Sequence, residues 1–346
     1  MTFFVNYHRY SLYAARRKKS TASVGIRCPG RAWASLDCSR LAVYHAFVTK
    51  RALMIVNPAA RGVPEIERLR EAISSLAGWE ATLEATTGAG HATELARGAA
   101  QRSVDAVVAC GGDGTMNEVA NGLAGSDTAM ATVRGGTANV WAKEIGAPKD
   151  PSKAVRVLVD GELRSMDLGM AGDRYFLLMA GIGFDASIVQ RVSPRLKRWS
   201  GALAYAVPTF GRAFGHRSIS TELVVDQDTL GTPLYWLLLG NTRNYGGILN
   251  LTHRAKADDG LLDFCLVQHG GLPRLAWLAI WALFRRHQDR AEVVYRTFES
   301  LDVQTPGLPV QVDGEYVGET PMTFRVAPGA LKVIVPPGQA NALFSP

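Results

Sequence analysis

The chain of 346 residues lacks an apolar run long enough to cross a bilayer. Its longest, Leu275 to Phe284, has ten residues and closes on Arg285-Arg286, whereas a spanning helix needs about 20. Cysteine is scarce too: Cys28 and Cys38 lie near the start, and Cys110 and Cys265 sit in apolar segments that read as buried strands. That spacing supports neither a disulfide framework nor a thiolate metal site. No internal repeat or low-complexity tract occurs. The expectation is a soluble or peripheral, cytoplasmic protein without structural disulfides.

Acidic residues are almost missing from the first 50 positions, where Asp37 alone faces nine Lys and Arg. This leader carries a net charge of +8 and the remaining residues only −1. A nearly neutral body excludes a dedicated nucleic-acid binder, which needs a stripe of cations to neutralise phosphates. The leader lacks the apolar core and small-residue cleavage site of a secretory signal. It is expected to be a disordered basic extension over 1–50, with no function assigned.

From Arg51 the chain is apolar and periodic. Ala52–Val56, Glu80–Ala85, Val104–Cys110 and Ala129–Val133 read as strands. Between and after them, Pro64–Leu76, His91–Ala100, Thr115–Leu123, Thr137–Ile145 and Pro151–Asp160 read as helices. Strands alternating with helices predict a parallel, doubly wound sheet over 51–167. After Asp167 the pattern turns to strands: Tyr175–Met179, Ser218–Val225, Tyr235–Gly240, Leu262–Val267, Phe298–Thr305, Val310–Val312, Thr323–Val326 and Leu331–Val335. These predict an antiparallel β-sandwich over 168–336, interrupted by helical inserts at Ile188–Phe214 and Leu272–His287. Residues 337–346 are expected to be a tail that returns to the first domain.

The strand ending at Cys110 runs into Gly111-Gly112-Asp113-Gly114-Thr115. Glycines between a strand and a helix let backbone N–H groups approach phosphate oxygens, and the helix N-terminus adds a favourable dipole. Asp113 suits a cation or an orienting network, and Thr115 a helix cap or a phosphate donor. A tight Asp-Gly turn before a capped helix explains the same residues. Two further segments sit at strand ends of the same sheet, Asn57-Pro58 and the second glycine turn Gly135-Gly136-Thr137-Ala138-Asn139. Open parallel sheets bind ligands at that edge.

Six segments occur in one order: Ile55-Val-Asn-Pro58, Gly111-Gly-Asp-Gly-Thr-Met-Asn-Glu-Val119, Gly136-Thr-Ala-Asn139, Ala180-Gly-Ile-Gly-Phe-Asp-Ala186, Ala257-Asp-Asp-Gly-Leu-Leu-Asp263 and Asp313-Gly-Glu315. Across Ala52 to Pro336 the sequence thereby resembles the diacylglycerol kinase catalytic-domain family and its sphingosine kinase relatives. The resemblance implies an ATP- and Mg²⁺-dependent lipid kinase. Asn57, Arg61, Thr86, Gly111, Gly112, Asp113, Gly114, Thr115, Asn117, Glu118, Thr137 and Asn139 would surround ATP. Glu315 would accept the proton of a lipid hydroxyl, supported by Asp313. Mg²⁺ would be held by Asp259 and the backbone carbonyls of Lys256 and Leu261. Asp167 and Asp185 match acids near the nucleotide or lipid head.

Plainer readings stand beside each. Asp313-Gly314 makes a hairpin turn, Asp258-Asp259-Gly260 a type I turn, and Asp167 and Asp185 cap loops. Some family members have Asp where Val140 stands, with Glu144 a nearby substitute. Trp277 and Trp281, four apart and followed by Arg285-Arg286, fit either an interfacial helix or burial against the sandwich. Pro194 to Tyr205 resembles that helix. The expected partners are a lipid alcohol and a transiently contacted membrane, with a homodimer left open. The rival functions are a NAD kinase-like enzyme acting on a soluble nucleotide, which shares the glycine turn, and a non-catalytic nucleotide or lipid sensor.

Overall fold

The computed structural model describes residues 3–7, 10–15, 23–27, 34–37, 49–191, 216–247, 249–338 and 342–345. The chain divides into two units, 1–50 and 51–346. The leader, expected to be without regular structure, carries four short strands: β1 Phe3–Tyr7, β2 Tyr10–Ala15, β3 Ser23–Arg27 and β4 Ala34–Asp37. They pair in order as an antiparallel meander. Aromatic and β-branched residues in these segments favour extended backbone.

The body opens with β5 Lys50–Val56, α1 Ile66–Ser74, β6 Trp79–Ala85, α2 His91–Gln101, β7 Ala106–Gly111, α3 Asp113–Leu123, β8 Ala129–Arg134, α4 Val140–Glu144 and α5 Pro151–Asp160. Strands β5, β7 and β8 are parallel neighbours. Their side chains alternate between two cores, as period-2 geometry requires. Met54, Val108 and Ala131 face α1 and α5, while Leu53, Val107 and Met130 face α2, α3 and α4. This is the expected doubly wound arrangement. The helix predicted from Thr137 starts only at Val140, because Asn139 is left-handed (φ 48°).

The second part adds β9 Glu162–Ala171, β10 Arg174–Phe176, β11 Met179–Gly183, α6 Phe184–Val189, β12 Ile219–Val225, β13 Asp228–Leu234, β14 Trp236–Gly240, β15 Leu262–Val267, α7 Leu272–Leu283, β16 Val293–Phe298, β17 Ser300–Val303, β18 Pro309–Val312, β19 Glu315–Glu319 and β20 Met322–Val335. A six-stranded antiparallel sheet, β16-β15-β14-β11-β18-β19, packs on β12, β17 and the first half of β20. Phe176, Leu237, Phe264, Phe298, Leu301 and Phe324 fill the space between. The strand expected at Tyr175–Met179 forms as β10, and strands β9, β11, β13, β16 and β19 escaped the sequence reading; β13 carries Gly231 and Pro233 and stands at a sheet edge, where both are tolerated. Most of the insert predicted at Ile188–Phe214, including Pro194–Tyr205, lies outside the described residues.

The two parts share one sheet. Strand β20, expected as two strands, is a single strand with an irregularity between Ala327 and Leu331. Its first half pairs with β17, its second half runs parallel to β8, and β9 lines it throughout. Asp167 holds the irregularity: Oδ1 accepts from Gly329 N at 2.7 Å and Oδ2 from Gly260 N at 2.7 Å. Beyond β20 the tail docks on the 255–258 segment, with Leu343 and Phe344 buried and Leu343 O accepting from Ala257 N at 2.9 Å. Because Asp167 is buried and satisfies two amides of separate segments, Asp167→Ala is expected to cost about 2–4 kcal/mol, read from urea unfolding.

Candidate active site

Two glycine turns cross with their backbones in contact. A Cβ built on Gly136 would fall 2.5 Å from Gly112 Cα, and one on Gly135 would fall 2.9 Å from Gly111 Cα. Gly135 N donates to Gly111 O (2.8 Å) and Gly62 N to Gly135 O (2.9 Å). The second turn is closed by Asn139, whose Oδ1 accepts from Gly136 N (2.8 Å) and whose Nδ2 donates to Gly136 O (2.7 Å). Asp113 accepts from Trp141 N (3.0 Å), capping α4 and tying the second turn to the first. The result is an edge built almost entirely of backbone at the N-terminus of α3, where an α-helix leaves donors without intrahelical partners.

Several of the predicted nucleotide residues serve this edge from behind. Asn57 Nδ2 donates to Thr115 Oγ1 (3.0 Å), and Thr115 is buried over Gly111. Glu118 caps α2 through Ala92 N (3.1 Å). Thr86 is half-buried at the end of β6, its amide donating to Val56 O (2.8 Å). Thr137, within the second turn, and Arg61, beside it, are exposed. Asn117 faces away from the turn; it is buried and donates to Tyr175 O (3.1 Å) and Asp313 Oδ2 (2.6 Å).

Asp313, left-handed at φ 46° in the β18–β19 hairpin, is therefore bound to the first domain. Its carboxylate also accepts from three successive amides, Leu177 N (2.8 Å), Leu178 N (3.0 Å) and Met179 N (2.8 Å). Burial pushes its pKa up to about 6 against these donors. The adjoining Gly314 N donates to Gln311 Oε1 (2.7 Å), and Gln311 Nε2 donates to Asp185 Oδ2 (3.0 Å). Asp185 is buried under Gly181, where a Cβ would meet its carboxylate at 2.1 Å, and burial raises it to about 6. Asp185 and Asp167 thus hold backbone segments and Gln311 rather than face open solvent.

Glu315, two residues on, is half-exposed and reaches α3: a Cβ on Gly114 would lie 3.7 Å from its Oε1. Its other oxygen is paired with Arg174 Nη2. The sequence reading missed Arg174 and Asn121; Asn121 sits one turn after Asn117 and exchanges hydrogen bonds with Tyr175 N and O (3.1 and 3.0 Å). Two amides four apart on an otherwise apolar helix face were the available signal.

Residues 51–171 match the family model described as the diacylglycerol kinase catalytic domain, and residues 179–335 the YegS C-terminal NAD kinase beta sandwich-like domain. A diacylglycerol kinase of Bacillus subtilis is 30% identical over 300 residues, covering 85% of this chain and 99% of the relative. The chain belongs to the diacylglycerol kinase family. A YegS-like protein of Chromohalobacter salexigens is 32% identical, covering 83% of this chain and 94% of the relative. Two crystal structures from Bacillus anthracis, one described as a diacylglycerol kinase, share the fold with TM-scores of 0.72 and 0.64. They are 23% and 20% identical and cover 85% of this chain and 98% and 99% of theirs.

In this member of the family the acidic segment Asp258-Asp259 forms its own cluster. Asp259 Oδ1 accepts from Leu261 N (3.1 Å), and burial with the neighbouring charges of Asp167 and Asp258 raises its pKa. A hard cation would relieve that repulsion, so the segment fits Mg²⁺ in electrostatic character. Among the described residues no three acidic, His or Cys side chains converge, so carbonyls such as those of Lys256 and Leu261 would have to complete the ligand set. The Lys256 side chain is directed to the tail, donating to Ala342 O (3.1 Å). Val140 lies in the core, and Glu144, the candidate substitute, is instead buried in an ion pair with Arg243 at 3.3 Å. Cys110 and Cys265 are buried, with pKa values pushed up to about 12.

Two outcomes follow from this packing. Gly136→Ala should abolish nucleotide binding, read by calorimetry with ATP, because its methyl would displace Gly112. Asp185 binds its proton more tightly folded than unfolded, so its contribution to stability falls as pH rises from about 4 to about 6 and is flat above. Asp185→Asn should remove that component, seen as a shallower pH dependence of the urea midpoint over this range.

Proposed function

We propose that the protein transfers the γ-phosphate of ATP to the hydroxyl of diacylglycerol or a similar lipid alcohol. The observation that carries this reading is the position of Glu315 beside Gly114, at the helix end that suits phosphate. A lipid hydroxyl is a weak nucleophile, and a carboxylate within reach of its proton makes attack on the γ-phosphorus feasible at neutral pH. The hydroxyl oxygen forms the new P–O bond, the bond to the bridging oxygen of ADP breaks, and the proton passes to Glu315. Arg174 holds the carboxylate in place until substrate arrives, and Asp313 fixes the turn that carries it.

Backbone amides of the two glycine turns bind the phosphates, with Asn57, Thr86, Arg61 and Thr137 around them. Asn139 closes the second turn, Glu118 caps α2 and Asn117 ties α3 to Asp313, so in this reading none of the three touches the nucleotide. Asp113 keeps the turns together. Mg²⁺, when bound, neutralises phosphate charge; a second ion held by Asp259 and the carbonyls of Lys256 and Leu261 would stiffen the segment that Asp167 grips through Gly260. Because the acceptor resides in a bilayer, the enzyme works peripherally, from the cytoplasmic side. No helix among the described residues is long and apolar enough to cross a membrane.

Purified protein with Mg-ATP and diacylglycerol in mixed micelles is expected to transfer labelled phosphate to lipid. Glu315→Gln should lower kcat about 10²–10⁴-fold while the KM for ATP stays within about twofold. Failure of the wild type to phosphorylate any lipid hydroxyl would exclude the reading.

A further inference from the structure

Among the described residues eight large apolar side chains are exposed, and four of them, Trp277, Ile280, Leu283 and Phe284, belong to α7 and the turn that closes it. The other four, Val159, Leu163, Ile219 and Tyr316, come from separate elements. Spacings of three, four and seven residues place the α7 group on one side of the helix. Leu278 and Ala282 are buried and anchor the opposite side. The sequence alternative of burying both Trp residues is overturned for Trp277, which is 54% exposed. Trp281 stays partly covered, edge-on to Trp277 at 5.6 Å and with the Arg290 guanidinium 3.6 Å from its ring centre.

The charge around this face has one dominant sign. Helix α7 contains no acid, and Arg285 and Arg286 follow it, both exposed. Arg274 is also exposed, near Glu292 at 3.6 Å. A compact apolar group on a soluble fold marks a contact surface rather than chance exposure. Aromatic and aliphatic side chains edged by arginines match the headgroup boundary of an anionic bilayer, which takes up the apolar face and attracts the cations.

We propose that α7 and its closing turn form the face by which the enzyme rests on an anionic membrane, a role that rests on the lipid-kinase reading for its purpose. Trp277, Ile280, Leu283 and Phe284 enter the boundary between headgroups and acyl chains, and Arg285 and Arg286 meet lipid phosphates. Positions on this helix lie away from the glycine turns and Glu315 in the chain and take no part in the chemistry described above.

The test is sedimentation of the full chain with vesicles of phosphatidylglycerol and phosphatidylcholine, against vesicles of phosphatidylcholine alone. The wild type should partition to the anionic vesicles. Substituting Trp277, Ile280, Leu283 and Phe284 by Ser should weaken this about 100-fold or more, and Arg285→Glu with Arg286→Glu about tenfold or more. Both variants should keep the wild-type melting temperature and the wild-type rate on short-chain diacylglycerol dispersed in detergent. Unchanged vesicle binding in either variant, or none in the wild type, would overturn the proposal. So would a wild-type dimer that the Ser substitutions dissociate, or a melting temperature several degrees lower, since each assigns the face to protein. Vesicle binding without any phosphoryl transfer would leave the docking face standing and remove the kinase reading, while transfer without vesicle binding would do the reverse.

Discussion

The carboxylate of Asp313 ties the molecule together. It sits in a hairpin of the sandwich, yet its oxygens accept from three consecutive amides at the start of β11 and from Asn117 on the helix that follows the first glycine turn. A buried acid is expensive to hold unless its lone pairs are filled, and four donors fill them. The same bonds set the distance between the two halves. Glu315 is two residues away on a short hairpin, so whatever fixes Asp313 also fixes the group beside Gly114.

A second set of constraints works by removing side chains. Gly111, Gly112, Gly135 and Gly136 cross so closely that a methyl on Gly136 would enter the opposing backbone. Gly181 makes room for Asp185, which orients Gln311, which in turn receives the amide of Gly314. The edge of crossed glycine turns and the Asp-Gly turn are thus rigid for different reasons: the first because backbones touch, the second because polar groups are paired in sequence. Strand β20 joins them, carrying the sandwich's sheet into the parallel sheet next to β8.

Most of the first domain was legible because each of its elements announces itself locally. Helix Pro151–Asp160 has its apolar stripe, its Pro at the start and Asp150 as cap, and it forms where periodicity put it. The strands that were missed gave weaker signals. Strand β13 carries Gly and Pro at an edge, and the first half of β9 is only partly covered, so neither shows the continuous apolar run of a central strand. The break expected at Pro328-Gly329 is a bulge, because Asp167, 162 residues earlier, supplies a partner for the Gly329 amide.

By itself the sequence determined the alternation of strands and helices in the first domain, the two glycine turns, and the chemical character of the acids, since these depend on residue type and near neighbours. Tertiary structure alone decided what each acid does. Asp113, Asp167, Asp185, Asp313 and Glu118 are turned to backbone amides or a neighbouring side chain, whereas Glu315 remains half in solvent beside the helix end. It also decided that Trp277 faces outward while Leu278, the next residue, is buried. Desolvation and hydrogen-bond satisfaction are set by partners distant in sequence, and no local pattern contains them.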